Sequence, residues 1–400
     1  MVNLPADFVA ETRRLMGDER FSRFLGAFDE EAPTSIRVNP PRNSLAVGER
    51  VPWCQEGYYL ADRPQFTFDP LLHAGCYYVQ EASSMFVTHI LRQSGDCPQN
   101  ALDMCAAPGG KSTALRSVLP EDCVLVSNEP MGNRAQILLE NITKWGAPNC
   151  IVTNNYPRDF RKAKLKFDLI LCDVPCSGEG MFRKDPNAIS EWSMQNVEKC
   201  WRLQREIVSD AWECLNPGGL FIYSTCTYNT KENEENIQWI LENFDAQVLD
   251  IPIDPSWHIT GSLLPGFSEP VYRFIPGITR GEGLFACALR KNGGAEERGC
   301  GGARLDERKL KDLSVLVPPY SRTPVPPTVD VDYLEAIKYL RGEALVLPTD
   351  TPRGIVTITY KGQPLGPAKN IGNRANNLYP KAWRIKSTHL PTEAPTIVNC

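Results

Sequence analysis

The chain contains no apolar run approaching the roughly 18–20 residues that a membrane-spanning helix needs, so no such helix and no membrane association are expected. Its opening, MVNLPADFVAETRR, lacks the basic start, apolar middle and small-residue cleavage site of a signal peptide. Histidine is scarce, with four residues (His73, His89, His258 and His389) standing far apart. No pair of cysteines has a partner pair at zinc spacing, and no metal site is expected. The 14 cysteines are scattered singly along 400 residues, a usage that fits a reducing cytoplasm better than a disulfide framework. An overall positive charge is also missing. The net charge is −5, so binding to nucleic acid would have to come from local basic surfaces. No internal repeat is present.

What the sequence does have is a globular balance, 42 % apolar and 23 % charged residues, over a length that calls for two or three compact units. Residues 6–28 space Phe8, Val9, Leu15, Met16, Phe21, Phe24 and Leu25 as a helix does, and an extended segment, Ser35 to Pro40, follows. From about 96 to 292 strands alternate with helices. Strands are predicted at 100–105, 123–128, 149–153, 167–173, 218–225 and 283–290, with helices at 110–119, 132–145, 196–215 and 231–243. That succession predicts a parallel, doubly wound α/β sheet. A Gly-rich and then Pro-rich stretch reads as a linker. The predicted division is 1–95, 96–292, a linker at 293–330, and a small unit at 331–400. The last 60 residues carry eight Lys/Arg against three Asp/Glu, so an acidic chain ends in a basic module.

The first strand of the α/β region runs into Asp103-Met104-Cys105-Ala106-Ala107-Pro108-Gly109-Gly110-Lys111-Ser112-Thr113. A small-residue turn between strand and helix lets a ligand approach backbone N–H groups. A P-loop would need glycine at position 105, where Cys105 stands, so the amide ring that cradles phosphates is incomplete and an ATPase is a minor alternative. The dinucleotide pattern G-x-G-x-x-G is absent. A loop for S-adenosylmethionine fits better, with its amides and Lys111 facing the methionine carboxylate. Glu129, about twenty residues on at the end of the second strand, suits the two hydroxyls of a ribose; an ordinary acid at a helix N-terminus is the competing reading.

Two cysteines sit just past central strands, in turns rich in Ser, Thr and Gly: Cys176 in Asp173-Val174-Pro175-Cys176-Ser177-Gly178, and Cys226 in Ser224-Thr225-Cys226-Thr227. Cys172, Cys200 and Cys214 read as packing residues. Two thiols beside a methyl donor suggest addition to carbon 6 of a pyrimidine, which makes carbon 5 nucleophilic. Asp173 is in the right segment to assist at N3 of the ring.

These segments, with Ala107-Pro108-Gly109-Gly110-Lys111 and Glu232-Asn233-Glu234-Glu235-Asn236, resemble the RNA cytosine-5 methyltransferases of the Nol/Nop/Sun family. Gly75 to Met85 and Ser35 to Pro40 resemble the family's N-terminal segments. Tyr339 to Glu343, Gly362 to Gly366 and Asn377 to Arg384 resemble the PUA-like segment of bacterial RsmF-type members. The resemblance implies a Rossmann-like S-adenosylmethionine-dependent methyltransferase core with an N-terminal α+β extension and a small C-terminal PUA-like domain. It implies Cys226 as nucleophile and Cys176 in release of the adduct, with Cys176 the runner-up nucleophile. It also implies that Asp173 meets cofactor and base, while Cys105, Ala106, Ala107, Pro108, Gly109, Gly110, Lys111 and Glu129 hold the cofactor. Tyr156 stands where the family usually has an acid for the adenine; a tyrosine stacks there or presents its hydroxyl.

The implied substrate is small-subunit ribosomal RNA, met by a cytoplasmic monomer. Lys369, Arg374, Lys381 and Arg384 are candidate RNA contacts, because basic residues with interleaved aromatics suit phosphate neutralisation and base stacking, and Arg183 and Lys184 are candidates because they come right after the Asp173–Gly180 turn. A cytosine must leave its stack to reach Cys226, at a cost of about a few kcal/mol. The competing function is an RNA-binding or ribosome-assembly protein with an inactive methyltransferase core.

Overall fold

The computed structural model describes residues 2–42, 45–46, 48–293, 305–320, 326–387 and 390–399. Residues 294–304 and 321–325 of the stretch read as a linker, and His389, lie outside them.

Five strands, Asn100–Asp103, Val124–Asn128, Cys150–Thr153, Phe167–Asp173 and Leu215–Thr225, run parallel in the middle of a nine-stranded sheet. Their residues alternate between two buried clusters. Leu169, Leu171, Leu220 and Ile222 pack on one face, and Ile170, Cys172, Phe221 and Tyr223 on the other. Strands buried on both faces read as continuous apolar runs, which is why their positions were legible. Helices Gly110–Arg116, Gly132–Trp145, Pro157–Lys162 and Met194–Glu213 lie between them in sequence, and Glu234–Asn243 follows the last. Phe167–Asp173 lies beside Asn100–Asp103, on the side away from Val124–Asn128. The order therefore reverses between those two strands, and the crevice beyond their carboxyl ends is where such a sheet takes its ligands.

The sixth predicted strand is present as Leu284–Lys291, but it runs antiparallel to Leu215–Thr225. It is reached by a return from Tyr272–Phe274, with which it also pairs, and a neighbour reached by a return rather than a crossover helix runs antiparallel. The sheet expected to be parallel throughout is therefore mixed at this edge. At the opposite edge Val315–Leu316 adds an antiparallel pairing to Cys150–Thr153, while Leu305, Leu310 and Leu313 are buried in the core. Residues 305–320, inside the stretch read as a linker, thus pack against the α/β sheet.

The N-terminal helix, Ala6–Gly26, is broken by Gly17, whose φ of 74° is left-handed and suits glycine. Its Phe8 and Phe24 pack edge-on against Phe182 and Tyr228, close to the two cysteine turns. Strand Thr34–Val38 lies between Gly57–Leu60 and Tyr77–Val79. From it the buried Arg37 reaches Thr113 and Ser117 of the Gly110–Arg116 region and lies over the ring of Trp145. The C-terminal unit is a four-stranded sheet with helix Tyr333–Leu340. It shares a hydrophobic core with the N-terminal sheet, where Ile36, Val38 and Tyr77 join Val356, Ile358, Leu365 and Trp383. Among the described residues no helix is long and apolar enough to cross a membrane.

Candidate active site

The first core strand ends at Asp103, which is fully buried with Oδ2 2.7 Å from Ser112 Oγ. Burial pushes its carboxyl up to about 7. The loop 105–108 leads to Gly109 (φ 115°), where a side chain would press on Leu138 and Asn141. A side chain on Gly110 would touch Tyr78. Lys111 places Nζ 2.8 Å from Asp173 Oδ2. Burial opposes its charge, but the Asp173 carboxylate prevails and raises its pKa. Asp173 Oδ1 accepts from Ser224 Oγ at 2.7 Å, so the acid is held on both oxygens at the end of its strand.

Glu129 is 1 % exposed. Its Oε1 accepts from Met131 N at 3.0 Å, as an acid before a helix does. Its Oε2 has no hydrogen-bond donor among the described residues, although Arg134 stands 3.4 Å away. A buried acceptor left so costs about 1–3 kcal/mol, and a ribose hydroxyl would satisfy it. Tyr156 is 55 % exposed at the end of the third strand. Its backbone N–H bonds to Asp159, and its ring lies 5.0 Å from the Arg158 guanidinium. Asp159 is thereby engaged with the backbone. Asn155 exchanges two hydrogen bonds with the backbone of Ser314, so the 305–320 segment braces this end of the cleft.

Cys176 and Cys226 come together with their sulfurs 3.3 Å apart. Cys226 O accepts from Gly180 N at 2.7 Å, an approach so close that any side chain on Gly180 would collide with it. The hydrogen bond to Cys226, and then burial, hold the Cys176 thiol well above its ordinary range. Cys172 and Cys214 are buried packing residues; Cys200 is only partly buried. Among the described residues no group of three or more His, Cys, Asp or Glu is placed to hold a metal ion.

The site thus combines a glycine turn, a buried acid with a spare oxygen, an acid–lysine pair and two adjoining thiols. A family model described as 16S rRNA methyltransferase RsmB/F matches residues 90–290. The chain belongs to the RsmB/F family. The models for the N-terminal domain of RsmF and for the RsmF PUA domain match residues 4–82 and 326–385. The chain is similar to ribosomal RNA small subunit methyltransferase F of Erwinia tasmaniensis, at 34 % identity over 308 residues, 72 % of this chain and 64 % of that one. The same protein of Pectobacterium atrosepticum is also 34 % identical, over 73 % of this chain and 63 % of that one. The chain therefore spans just under two thirds of the length of these relatives. A methyltransferase homologue from Pyrococcus horikoshii has a TM-score of 0.59 at 28 % identity, covering 72 % of this chain and 96 % of its own. NSun6 from the same organism, solved with SFG, shares the fold with a TM-score of 0.59 at 20 % identity, over 72 % of this chain and 99 % of that one.

In this RsmB/F member the candidate RNA contacts divide. Lys184, Lys369, Arg374 and Lys381 are exposed. Arg183 is not available: its guanidinium pairs with Glu282 at 2.9 Å, with side chains 6 % and 4 % exposed, and it also bonds to Glu30 O. Arg384 is half-buried, packed on Gly342 and donating to Tyr379 O. Arg183 departs from the expected phosphate contact, because its cation is used inside the fold. Sequence reasoning assigned no role to Glu179, Asn229 or Ser314. Glu232 appeared only as part of a motif. Acids in turns otherwise built of Ser, Gly, Asn and Thr were the available signal for Glu179 and Glu232.

Proposed function

We propose that this chain transfers a methyl group from S-adenosyl-L-methionine to carbon 5 of a cytosine in small-subunit ribosomal RNA, through a bond between Cys226 and carbon 6. The observation that carries the reading is the pair of thiols at 3.3 Å beside the Lys111–Asp173 pair. Residues 105–111 and Glu129 would hold the cofactor, with Asp173 and Tyr156 at its edges; the spare oxygen of Glu129 fits a ribose. When bound, S-adenosylmethionine supplies an electrophilic methyl group for an activated carbon 5.

Cys226 adds as thiolate to carbon 6, the carbon 5–carbon 6 double bond opens, and its electron pair makes carbon 5 nucleophilic. A free thiol has a pKa near ~8.5, so the site must favour the thiolate. Cys176, whose own proton is held tightly, can donate its S–H to the Cys226 sulfur. Asp173 is the group assigned to N3 of the base, and the Lys111 ammonium beside it can restore the proton that N3 takes up. Loss of the carbon 5 proton returns the electron pair that breaks the carbon 6–sulfur bond. Cys176 assists that release. Residues 1–95 and 331–400 flank the 96–292 core as RNA-binding units of a cytoplasmic monomer.

Expression of Cys176→Ala in cells, followed by a denaturing gel, tests this. The expected result is a slow, ribonuclease-sensitive band that disappears in Cys176→Ala/Cys226→Ala. A band that persists in the double variant would assign the attack to another residue.

A further inference from the structure

The two cysteine turns exchange carboxylates. Glu232, six residues after Cys226, reaches back to the residue that follows Cys176. Its Oε2 accepts from Ser177 N at 3.0 Å and Gln204 Nε2 at 2.7 Å, and its Oε1 from Ser177 Oγ and Asn229 Nδ2. Glu179, three residues after Cys176, reaches the opposite way. Its Oε2 accepts from Tyr228 N at 2.6 Å and Asn229 N at 3.1 Å, and its Oε1 from Asn229 Nδ2 and Trp192 Nε1. The Asn229 amide bridges the two acids.

Both carboxylates are buried, Glu179 2 % and Glu232 0 % exposed, and neither has a Lys or Arg partner among the described residues. Burying a carboxylate without a cation beside it is costly, so seven donor atoms are committed to these two acids. Burial, with Glu179 close by, pushes Glu232 up to about 7. The two sulfurs are anchored unequally. Cys226 follows directly on a central strand and is fixed by its carbonyl to Gly180. Cys176 sits outside its strand, between Pro175, whose carbonyl bonds to Gln204, and Ser177, which bonds to Glu232.

We propose that Glu179 and Glu232 are positioning residues that cross-clamp the two turns, and that Glu232 in particular holds the Cys176 thiol where it must be for release of the methylated RNA. This rests on the assignment of attack to Cys226 and release to Cys176. It separates the two steps: loosening Glu232 impairs release while attack continues, so enzyme joined to RNA accumulates although both cysteines are intact.

The experiment compares full-length wild type, Glu232→Gln, Ser177→Ala and Cys176→Ala, each expressed in cells and run on the same denaturing gel. Cofactor affinity and melting temperature are measured on the purified proteins. Glu232→Gln is expected to raise the ribonuclease-sensitive adduct by about tenfold over wild type, the effect of one such interaction on a rate. Ser177→Ala, which removes only the hydroxyl donor, gives a smaller rise. Turnover falls in both while cofactor affinity is unchanged. A Glu232→Gln protein that loses turnover without accumulating adduct, while Cys176→Ala does accumulate it, would make Glu232 a merely structural residue and overturn the proposal. Absence of adduct in Cys176→Ala as well would overturn the underlying assignment, and the proposal with it. Should Glu232→Gln fail to fold, Ser177→Ala decides by the same criterion.

Discussion

At the thiol turns, Glu179 and Glu232 have every oxygen engaged by donors from within the chain. In the proposed cofactor cleft, around the ends of neighbouring strands, Glu129 Oε2 and Asp103 Oδ1 are buried without a hydrogen-bond donor among the described residues. The contrast separates two kinds of preparation. On the proposed mechanism the two thiols are a reacting pair that has to be held at a set distance before substrate arrives, so their supports are completed by the protein. A binding cradle has to keep acceptors in reserve, because a group already satisfied gains little from a ligand.

The most severe test of this separation is Cys226→Ala. Methyl transfer should fall below detection while cofactor affinity, measured by calorimetry, stays within about twofold, because no residue assigned to holding the cofactor is changed. Loss of cofactor binding would show that the two regions are one. Next comes Arg183→Ala. Removing one partner of a buried ion pair costs about 3–5 kcal/mol, so the variant should melt well below wild type, whereas a phosphate contact would change RNA affinity and leave stability alone. Glu129→Ala sharpens the contrast from the other side. Losing hydrogen bonds to a charged group, about 1.5–3 kcal/mol, should weaken cofactor binding roughly tenfold to a hundredfold, with adduct formation by Cys226 still possible on RNA. The smallest effect belongs to Lys184→Ala: stability within about 0.5 kcal/mol, and a salt dependence of RNA binding reduced by about one phosphate's worth.

Much of the α/β core was legible. Its strands are apolar on both faces and its helices are long enough to show their period, so element order and the residues at strand ends could be read directly. The thiols, Asp173 and Glu129 could be singled out for a related reason, since each ends a strand or follows one closely, beside a run of turn residues. The antiparallel course of Leu284–Lys291 was not, because an apolar strand carries no mark of its direction. Arg183 was misread because a basic residue in sequence does not reveal whether an acid from another segment will take its donors. Glu282, the partner of Arg183, is 99 residues away. The same distance hides the clamp, in which Glu232 acts 55 residues from its own position.

The sequence by itself determined the succession of strands and helices, the glycine turn, the two cysteine turns and the family to which they belong. These depend on local periodicity and on short stretches that carry their chemistry within about ten residues. Tertiary structure alone decided that two thiols 50 residues apart would stand at 3.3 Å, that Lys111 would face Asp173, and that residues 305–320 would brace the cleft. It also decided that the C-terminal unit would share a core with the N-terminal sheet. The physical reason is common to all four. Pairing of buried charge and closing of apolar surface are settled between segments, by which donors and faces meet once the chain is packed, and no stretch of sequence contains both sides of that choice.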